Sequence, residues 1–488
     1  MTVGLAIKKV ALTKTIEWAI GYLEKDPERN LKKAVDLLYN ASNTFNLPPV
    51  FKDQLKGVKT LVDNNRPGAQ LVINLLKDAK PEVAKKLAVN FVVNASWWGA
   101  PVQRSTTQKE GFNVPWFMLV DPTEKCNYNC IGCWAGSYNF KAHELSFERF
   151  DKLMQEAKEL GIYFIVVSGG EPTIYPHLID IFKKHNDMAF MFYTNGSLIN
   201  EKYAERLAEV GNAVPCISVE GFKENTDWRR GEGAWDKVIR AMDNLKKAGV
   251  PFGYSVTETR KNVEEVLSDE FVDFMIDKGA KIAWYFQYIP TGKDPDINLM
   301  LTPEQRLYSY ERIHYVRANK PLFAADFWND GPYTGGCLAG ARRYLHITAD
   351  GGVEPCAFIH LAQGNINEIS LKEALQLPFF KEIQKLEPYT DNLLRPCMLV
   401  DNPDIFRKIG TLPGVRSTDG TLENMSKEVG NHLDELSKKW EEVSRPVFER
   451  DYPEIAEKTR EYKKKKEEIL QKANGNIEQF YVSQDIEK

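Results

Sequence analysis

From Val114 onward the chain alternates short apolar runs with longer segments whose apolar residues recur every three or four positions. The runs are WFMLVD from Trp116, YFIVVSGG from Tyr163, AFMFYTNG from Ala189, VPCISVEG from Val214, PFGYSVTE from Pro251 and IAWYFQYIP from Ile282. Rich in Val, Ile, Phe and Tyr, and closed by Gly or Pro, such runs predict buried parallel strands. Helices are predicted between them over 146–160, 175–185, 201–210, 234–248 and 262–278. Six β–α units with right-handed crossovers predict an α/β chain rolled into a partial (β/α)6 barrel.

The flanks have a different pattern. The first 110 or so residues read as helix. Leu5, Leu12, Ile16, Ile20 and Leu23 form one stripe, with Trp18 and Tyr22 on another side. Breaks are predicted at Asp26-Pro27, Pro48-Pro49, Pro67-Gly68 and Pro81. Near the end, Leu422, Met425, Val429, Leu433, Leu436, Trp440 and Val443 recur as one apolar helical face. The expected division is a helical region over 1–113 that caps the substrate or lies on a membrane, a barrel over 114–325, a cysteine-bearing segment over 326–405 and a charged helical tail over 406–488.

Composition narrows the classes. With 43% hydrophobic and 27% charged residues in 488, the chain has material for a large core and two to four domains. A net charge of -4 without a basic domain gives nucleic acid no footing. Lys463 to Lys466, followed at once by Glu467 and Glu468, reads as a solvated helix face. No run of eighteen apolar residues predicts a membrane span. Lys8, Lys9 and Lys14 interrupt the apolar stretch near the start, so no secretory signal is read and a cytoplasmic protein with reduced thiols is expected.

In that setting seven cysteines, three of them within eight residues at Cys126, Cys130 and Cys133, read as ligands rather than disulfides. Ligand sites in such sheets lie at the C-terminal ends of the strands. The three cysteines follow the first run, Ser168 to Pro172 the second and Thr194-Asn195-Gly196 the third, while Ser218 to Gly221 end the fourth. Three thiolates from one loop suit a [4Fe–4S] cluster whose fourth iron has no protein ligand. Structural zinc asks for four ligands, and the next histidine, His143, is ten residues beyond Cys133.

With C-x3-C-x2-C at these positions, SGGEP at Ser168 to Pro172, and TNG, SVEG and RRGEG further on, residues 114–292 resemble the radical S-adenosylmethionine (SAM) enzymes. The resemblance implies that the open iron binds the amino and carboxylate groups of SAM. One electron then breaks a carbon–sulfur bond, and the 5′-deoxyadenosyl radical takes hydrogen from an unactivated carbon. It also implies roles: Cys126, Cys130 and Cys133 hold the cluster, and Gly169, Gly170 and Glu171 lie against the methionine amino group. Asn195, Ser218 and Glu220 face the ribose and sulfonium, and Arg230 offers its fork to the carboxylate. The family's usual aromatic before the third cysteine is Gly132 here, so Trp134 or Tyr163 is expected to meet adenine. The implied electron donor is a flavodoxin or ferredoxin.

A second group, Cys337 and Cys356 in C-x13-G-x4-C spacing through Gly351, followed by Cys397, resembles the auxiliary-cluster extension of these enzymes. The shorter "twitch" form is implied rather than the longer SPASM form, with a second [4Fe–4S] cluster. Cys216, inside a strand, reads as a core thiol. NFVVNASWWG, DFWNDG and RPCMLVDNP make the whole chain similar to bacterial radical enzymes linked to joining lipid tails into membrane-spanning lipids. That implies a lipid substrate and a membrane surface. The lysine-bearing first helix suits such a surface, and Phe91, Trp97, Trp98, Trp284, Tyr285, Phe286 and Tyr288 are expected to line an apolar channel. Two alternatives stand beside it. One is a peptide-modifying maturase, which would usually carry an N-terminal winged-helix module; the other is a non-enzymatic iron–sulfur electron carrier.

Overall fold

The computed structural model describes residues 3–44, 49–135, 143–425 and 427–483. Pro48, the Gly136 to Tyr138 end of the cysteine stretch and the side chains of Leu5 and Lys8 fall outside the described set.

Seven parallel strands form the centre: β1 (Phe117–Val120), β2 (Phe164–Val167), β3 (Ala189–Thr194), β4 (Ala213–Ser218), β5 (Gly253–Glu258), β6 (Ile282–Gln287) and β7 (Phe323–Asp326). Each pairs with its sequence neighbour, as right-handed crossovers require. The sheet is larger than six strands. β7 adds to β6, and on the far side β8 (His346–Ile347) pairs parallel with β1, with β9 (Val353–Glu354) antiparallel to β8. The cysteine-bearing segment is thus stitched into the barrel sheet.

Side chains alternate along each strand. Met118, Val120, Ile165, Val167, Phe190 and Phe192 are fully or almost fully buried in the main core, whereas Phe117, Leu119, Phe164, Val166, Met191, Tyr193, Ile282 and Trp284 line a central cavity. The crossover helices end where local chemistry dictates. Ser146 caps Phe147–Glu159 by accepting from the Arg149 N–H, and Asn200 caps Glu201–Val210 through Tyr203 N–H. Gly211 and Gly249 close their helices in the left-handed conformation. The helix expected over 262–278 is two, Val263–Val266 and Asp269–Lys278, because the Ser268 side chain accepts from Phe271 N–H and starts a new N-terminus.

Among the described residues, everything before β1 is helical. Helices begin at Pro27, Pro49, Pro67 and Pro81, each proline in a first-turn position that needs no N–H donor. Val89–Gly99 winds as a π-helix docked by Asn90 and Asn94, whose amides donate to Met188 and Asp187 carbonyls at the start of β3. Lys9 does not face outward as a membrane-surface helix would have it. It lies over the Trp98 and Tyr163 rings, at 4.9 and 5.6 Å. The same helix does expose Ile7, Val10 and Trp18.

The tail also departs from its pattern. Its long helix is Glu428–Asp451; Leu422 belongs to the short helix Thr421–Asn424, so the expected single stripe is split. Leu433 and Trp440 are fully buried, and Trp440 Nε1 donates to Leu394 O at 2.9 Å. The lysine run is only half solvated. Lys463 donates to Pro388 O, and buried Lys466 donates to Gln384 O and Glu387 O, carbonyls that an exposed face would leave to water. No helix among the described residues is long and apolar enough to cross a membrane.

Candidate active site at the C-terminal ends of the strands

A cavity of about 150 Å³ opens where the loops after β1 to β6 converge. It is lined by Cys126, Cys130, Cys133 and Trp134 from the first loop, by Gly169, Gly170 and Glu171 from the second, and by Asn195, Ser218 and Arg230 from those that follow. Of the residues singled out to hold the cluster or meet the methionine, ribose or carboxylate, the structure therefore brings together all but one.

The exception is Glu220. It is fully buried and does not line the cavity. Its Oε1 accepts from Arg229 Nη1 at 2.6 Å and from Arg230 Nε and Nη2 at 2.9 and 2.5 Å, while Oε2 accepts from Thr257 N–H. Glu220 holds two guanidiniums rather than facing a ribose. Arg230 Nη1 reaches to 4.0 Å from Cys130 Sγ, and Arg229, buried and not the solvated residue its sequence neighbourhood allows, donates to Gly132 O. The carboxylate and the nearby thiols push the Arg230 pKa above its ordinary value against the cost of burial.

Glu171 is likewise committed to the protein. Its carboxylate accepts from Thr173 N–H and Oγ1, Thr194 Oγ1 and Asn195 N–H at 2.5–3.1 Å, tying the β2 loop to the end of β3. Burial raises its pKa, against those four donors. Gly170 is required by the approach of the cysteine loop itself: a Cβ there would lie 2.2 Å from Lys125 O. Gly170 N–H and Glu171 N–H donate to Thr123 O and Lys125 O, so SGGEP is zipped onto the chain leading to Cys126.

Gly132 has its own explanation. A Cβ at this position would meet the Tyr288 ring at 2.5 Å, so the aromatic that the loop lacks arrives from the end of β6. Tyr288 and Tyr128 both line the cavity, as does Trp134, which packs against His360 with ring centroids 6.2 Å apart. Tyr163 lies outside the lining, just ahead of β2 and so at the opposite end of the strands, too far from this mouth to meet adenine. Of the expected channel residues, Phe286 and Tyr288 line this cavity and Phe91 and Trp284 the larger one below it. Trp97, Trp98 and Tyr285 line neither; Tyr285 points outward and its hydroxyl pairs with Tyr254.

The donor set fits an iron–sulfur cluster. All three thiols are free and border one cavity. Yet among the described residues no three His, Cys, Asp or Glu side chains converge as a single metal ion would need. Three thiols around one space suit a cube in which each would bind its own iron. Burial raises the bare Cys126 thiol to about 12, so loading must displace protons.

Cys337, Cys356 and Cys397 are also neighbours: burial first, then the Glu387 carboxylate and the other two thiols, push the Cys337 pKa up. Each sulfur accepts from a backbone N–H, of Ala339, Phe358 and Val400 respectively, and Tyr344 Oη donates to Cys356 Sγ at 2.7 Å. Hydrogen bonds to sulfur are a means by which proteins tune such clusters. Tyr344, Ala357 and Phe358 from this segment form a wall of the first cavity. Cys216 is fully buried in β4.

Residues 120–268 match the family model of the radical SAM superfamily. The mycofactocin maturase MftC of Mycobacterium tuberculosis is 30% identical over 285 residues, covering 55% of this chain and 72% of the relative. The chain belongs to the radical SAM superfamily. It is a radical SAM enzyme, with a [4Fe–4S] cluster and SAM as cofactors and a need for a reductant. Residues 337–398 match the SPASM iron–sulfur cluster-binding domain, which bears out the expected auxiliary-cluster extension and indicates auxiliary iron–sulfur. The AdoMet-dependent heme synthase of Methanosarcina barkeri is 26% identical over 54% of this radical SAM chain and 82% of its own. SuiB of Streptococcus suis, solved with its precursor peptide SuiA, shares the fold at a TM-score of 0.50 and 16% identity, over 65% of this chain and 83% of SuiB.

One feature of this radical SAM site escaped the sequence. His346 on β8 is fully buried between Asp121 and Glu354, each 2.9 Å away. These carboxylates overcome the burial cost and raise the imidazole to about 10. An unfolded histidine titrates near 6.5, so the ion pairs stabilise fully below that pH and are lost as pH rises toward 10. The stability difference between wild type and His346→Gln, from urea midpoints, is expected to shrink across that interval. A constant difference would mean that His346 is neutral.

Proposed function

We propose that this radical SAM enzyme removes a hydrogen atom from the apolar part of a substrate held in a second, larger cavity. That cavity, of about 1100 Å³, occupies the barrel interior and shares Leu119, Tyr193 and Phe327 with the cysteine-lined one. This shared wall carries the proposal. Cys126, Cys130 and Cys133 hold the cluster, and Gly169, Gly170, Asn195, Ser218 and Arg230 form the SAM wall. Glu171 and Glu220 position that wall, and Tyr288, Tyr128 and Trp134 supply the aromatic contacts. Cys337, Cys356 and Cys397 hold auxiliary iron–sulfur. When bound, the cluster and SAM supply a 5′-deoxyadenosyl radical by one-electron cleavage of a carbon–sulfur bond. The protein's part is to exclude water and to place one substrate carbon beside it. The helix Ala100–Glu110 and the tail helix Pro453–Lys472 contribute to the cavity wall, which supports a capping role for both ends of the chain. The proposed reductant is a small electron-donor protein such as a flavodoxin or ferredoxin.

Two substrate classes have support. A peptide, as for a maturase, is supported by similarity to the mycofactocin maturase and is the reading the relatives favour. Alkyl tails joined by carbon–carbon bond formation are supported by the apolar lining, from Phe91 and Trp116 to Trp284 and Phe327; none of the relatives named above is named for a lipid. Extracts of deuterated cells, separated into peptide and lipid fractions, distinguish them. Deuterium is expected in 5′-deoxyadenosine from one fraction, detected by mass spectrometry. Deuterium from neither fraction would overturn the proposal.

A further inference from the structure

The three auxiliary thiols are not equally placed. Cys337 accepts from Ala339 N–H at 3.4 Å and Cys397 from Val400 N–H at 3.5 Å. Cys356 accepts from Phe358 N–H at 3.5 Å and, much more closely, from Tyr344 Oη at 2.7 Å. Tyr344 and Phe358 both also line the SAM cavity. Two residues that hydrogen-bond one auxiliary sulfur are thus part of the wall against which the nucleotide would lie. Phe358 packs there edge-on against Trp134, with ring centroids 5.8 Å apart.

Tyr344 is fixed at this junction by its backbone and its ring. Arg343 O accepts from Trp116 and Phe117 N–H, and Leu345 O from Leu119 N–H, so the residue between them is held in register beside β1. The Tyr344 ring stacks on Phe117, with centroids 5.0 Å and planes 9° apart, and meets Phe327 edge-on at 5.9 Å. Phe117 lines the larger cavity, and Phe327 lines both. Tyr344 is 1% exposed, so its hydrogen bond to sulfur acts in a setting of low dielectric, where such a bond is stronger than in water. A buried tyrosine hydroxyl needs a partner, and a carbonyl would serve. The partner here is a sulfur of the auxiliary set.

We propose that Tyr344 is a positioning residue for the auxiliary cluster: its hydroxyl sets the cluster's reduction potential through Cys356, and filling of the SAM pocket changes that setting. This rests on the reading that Cys337, Cys356 and Cys397 hold the auxiliary iron–sulfur group. Reduction adds one negative charge, part of which falls on the thiolate sulfurs. A donor aimed at one of those sulfurs stabilises the reduced form more than the oxidised form and so raises the potential. A nucleotide in the SAM cavity touches the wall that Tyr344 and Phe358 help to form. A small displacement of that wall alters hydrogen bonds whose strength depends steeply on geometry.

The test uses full-length, cluster-loaded protein under anaerobic conditions, with electron paramagnetic resonance followed during stepwise reduction. The auxiliary signal is the one that Cys130→Ala retains. Tyr344→Phe keeps the ring and removes only the donor. It is expected to lower the auxiliary midpoint by about 59 mV, a tenfold change in a one-electron equilibrium, with iron content and the midpoint of the SAM-binding cluster unchanged. S-adenosylhomocysteine, which has no sulfonium to cleave, is the probe for the pocket. It is expected to move the auxiliary midpoint of the wild type and to leave that of Tyr344→Phe in place. An auxiliary midpoint in Tyr344→Phe equal to or above that of the wild type would overturn the tuning. No response of the wild type to S-adenosylhomocysteine, or an equal response of both proteins, would overturn the link to the pocket. If Tyr344→Phe fails to fold, 3-fluorotyrosine at position 344 takes its place: it is the stronger donor and is expected to raise the midpoint, and a midpoint that stays or falls would overturn the tuning. Full iron and an unchanged auxiliary signal in Cys356→Ala would instead overturn the ligand reading beneath the proposal.

Discussion

Cys130→Ala is expected to abolish SAM cleavage, by on the order of a thousandfold or more, because the reaction has no other source of the electron. Three cysteines on one loop border the site, and in the proposed arrangement each would supply one iron's only protein ligand, so none would substitute for another. Wild-type protein reconstituted anaerobically is expected to hold about eight irons per chain, four per cluster. Cys130→Ala should lose the SAM-binding cluster and leave the auxiliary iron in place. Cys337→Ala should show the converse, with SAM binding retained. Cys216→Ala is the control, since that thiol is buried inside β4 away from both groups. Iron analysis and measurement of 5′-deoxyadenosine together decide it; full iron content and activity in Cys130→Ala would end the assignment.

Glu220→Ala is expected to destabilise the fold by about 3–5 kcal/mol, the usual cost of breaking a buried ion pair from one side. The carboxylate is the acceptor for three nitrogens of two arginines. Without it, two guanidiniums remain beside the cysteine loop with their charge uncompensated, one of them 4.0 Å from Cys130 Sγ. Both stability and cluster loading should therefore fall. Glu220→Gln keeps an acceptor but no charge and is expected to fall between the two. Denaturant unfolding measures the first effect and iron content the second. Glu220→Ala unfolding at the wild-type midpoint would show that the arginines find other partners.

These two sites differ in how legible they were. The cysteines could be read because they are local: three ligands on one loop need no long-range contact to declare themselves, and the apolar run before them announces the strand. The SGGEP glycines were legible as a motif, but their reason was not, because the atom they make room for is a carbonyl 45 residues earlier in the chain. Glu220 was read as a SAM contact and Arg230 as a partner of the SAM carboxylate; that Arg229 and Arg230 both turn back onto Glu220 shows only in the folded chain. The lysine run at 463–466 failed for the same reason. Charge alone reads as exposure unless one knows what packs opposite, and Gln384 and Glu387 offer their carbonyls only in the folded chain.

By itself the sequence determined the first six parallel strands, their alternation with helices, the proline-led starts of the first helices and the loop that carries the three clustered cysteines. Backbone propensity and side-chain period act over a few residues, and so do these features. Only the tertiary structure decided that β8 extends the sheet beside β1, that Tyr288 fills the space at Gly132, that Tyr344 stacks on Phe117, and that the larger chamber meets the SAM pocket. Each of those joins residues tens to hundreds of positions apart. Barrel closure and strand register create such neighbours, and a one-dimensional pattern does not contain them.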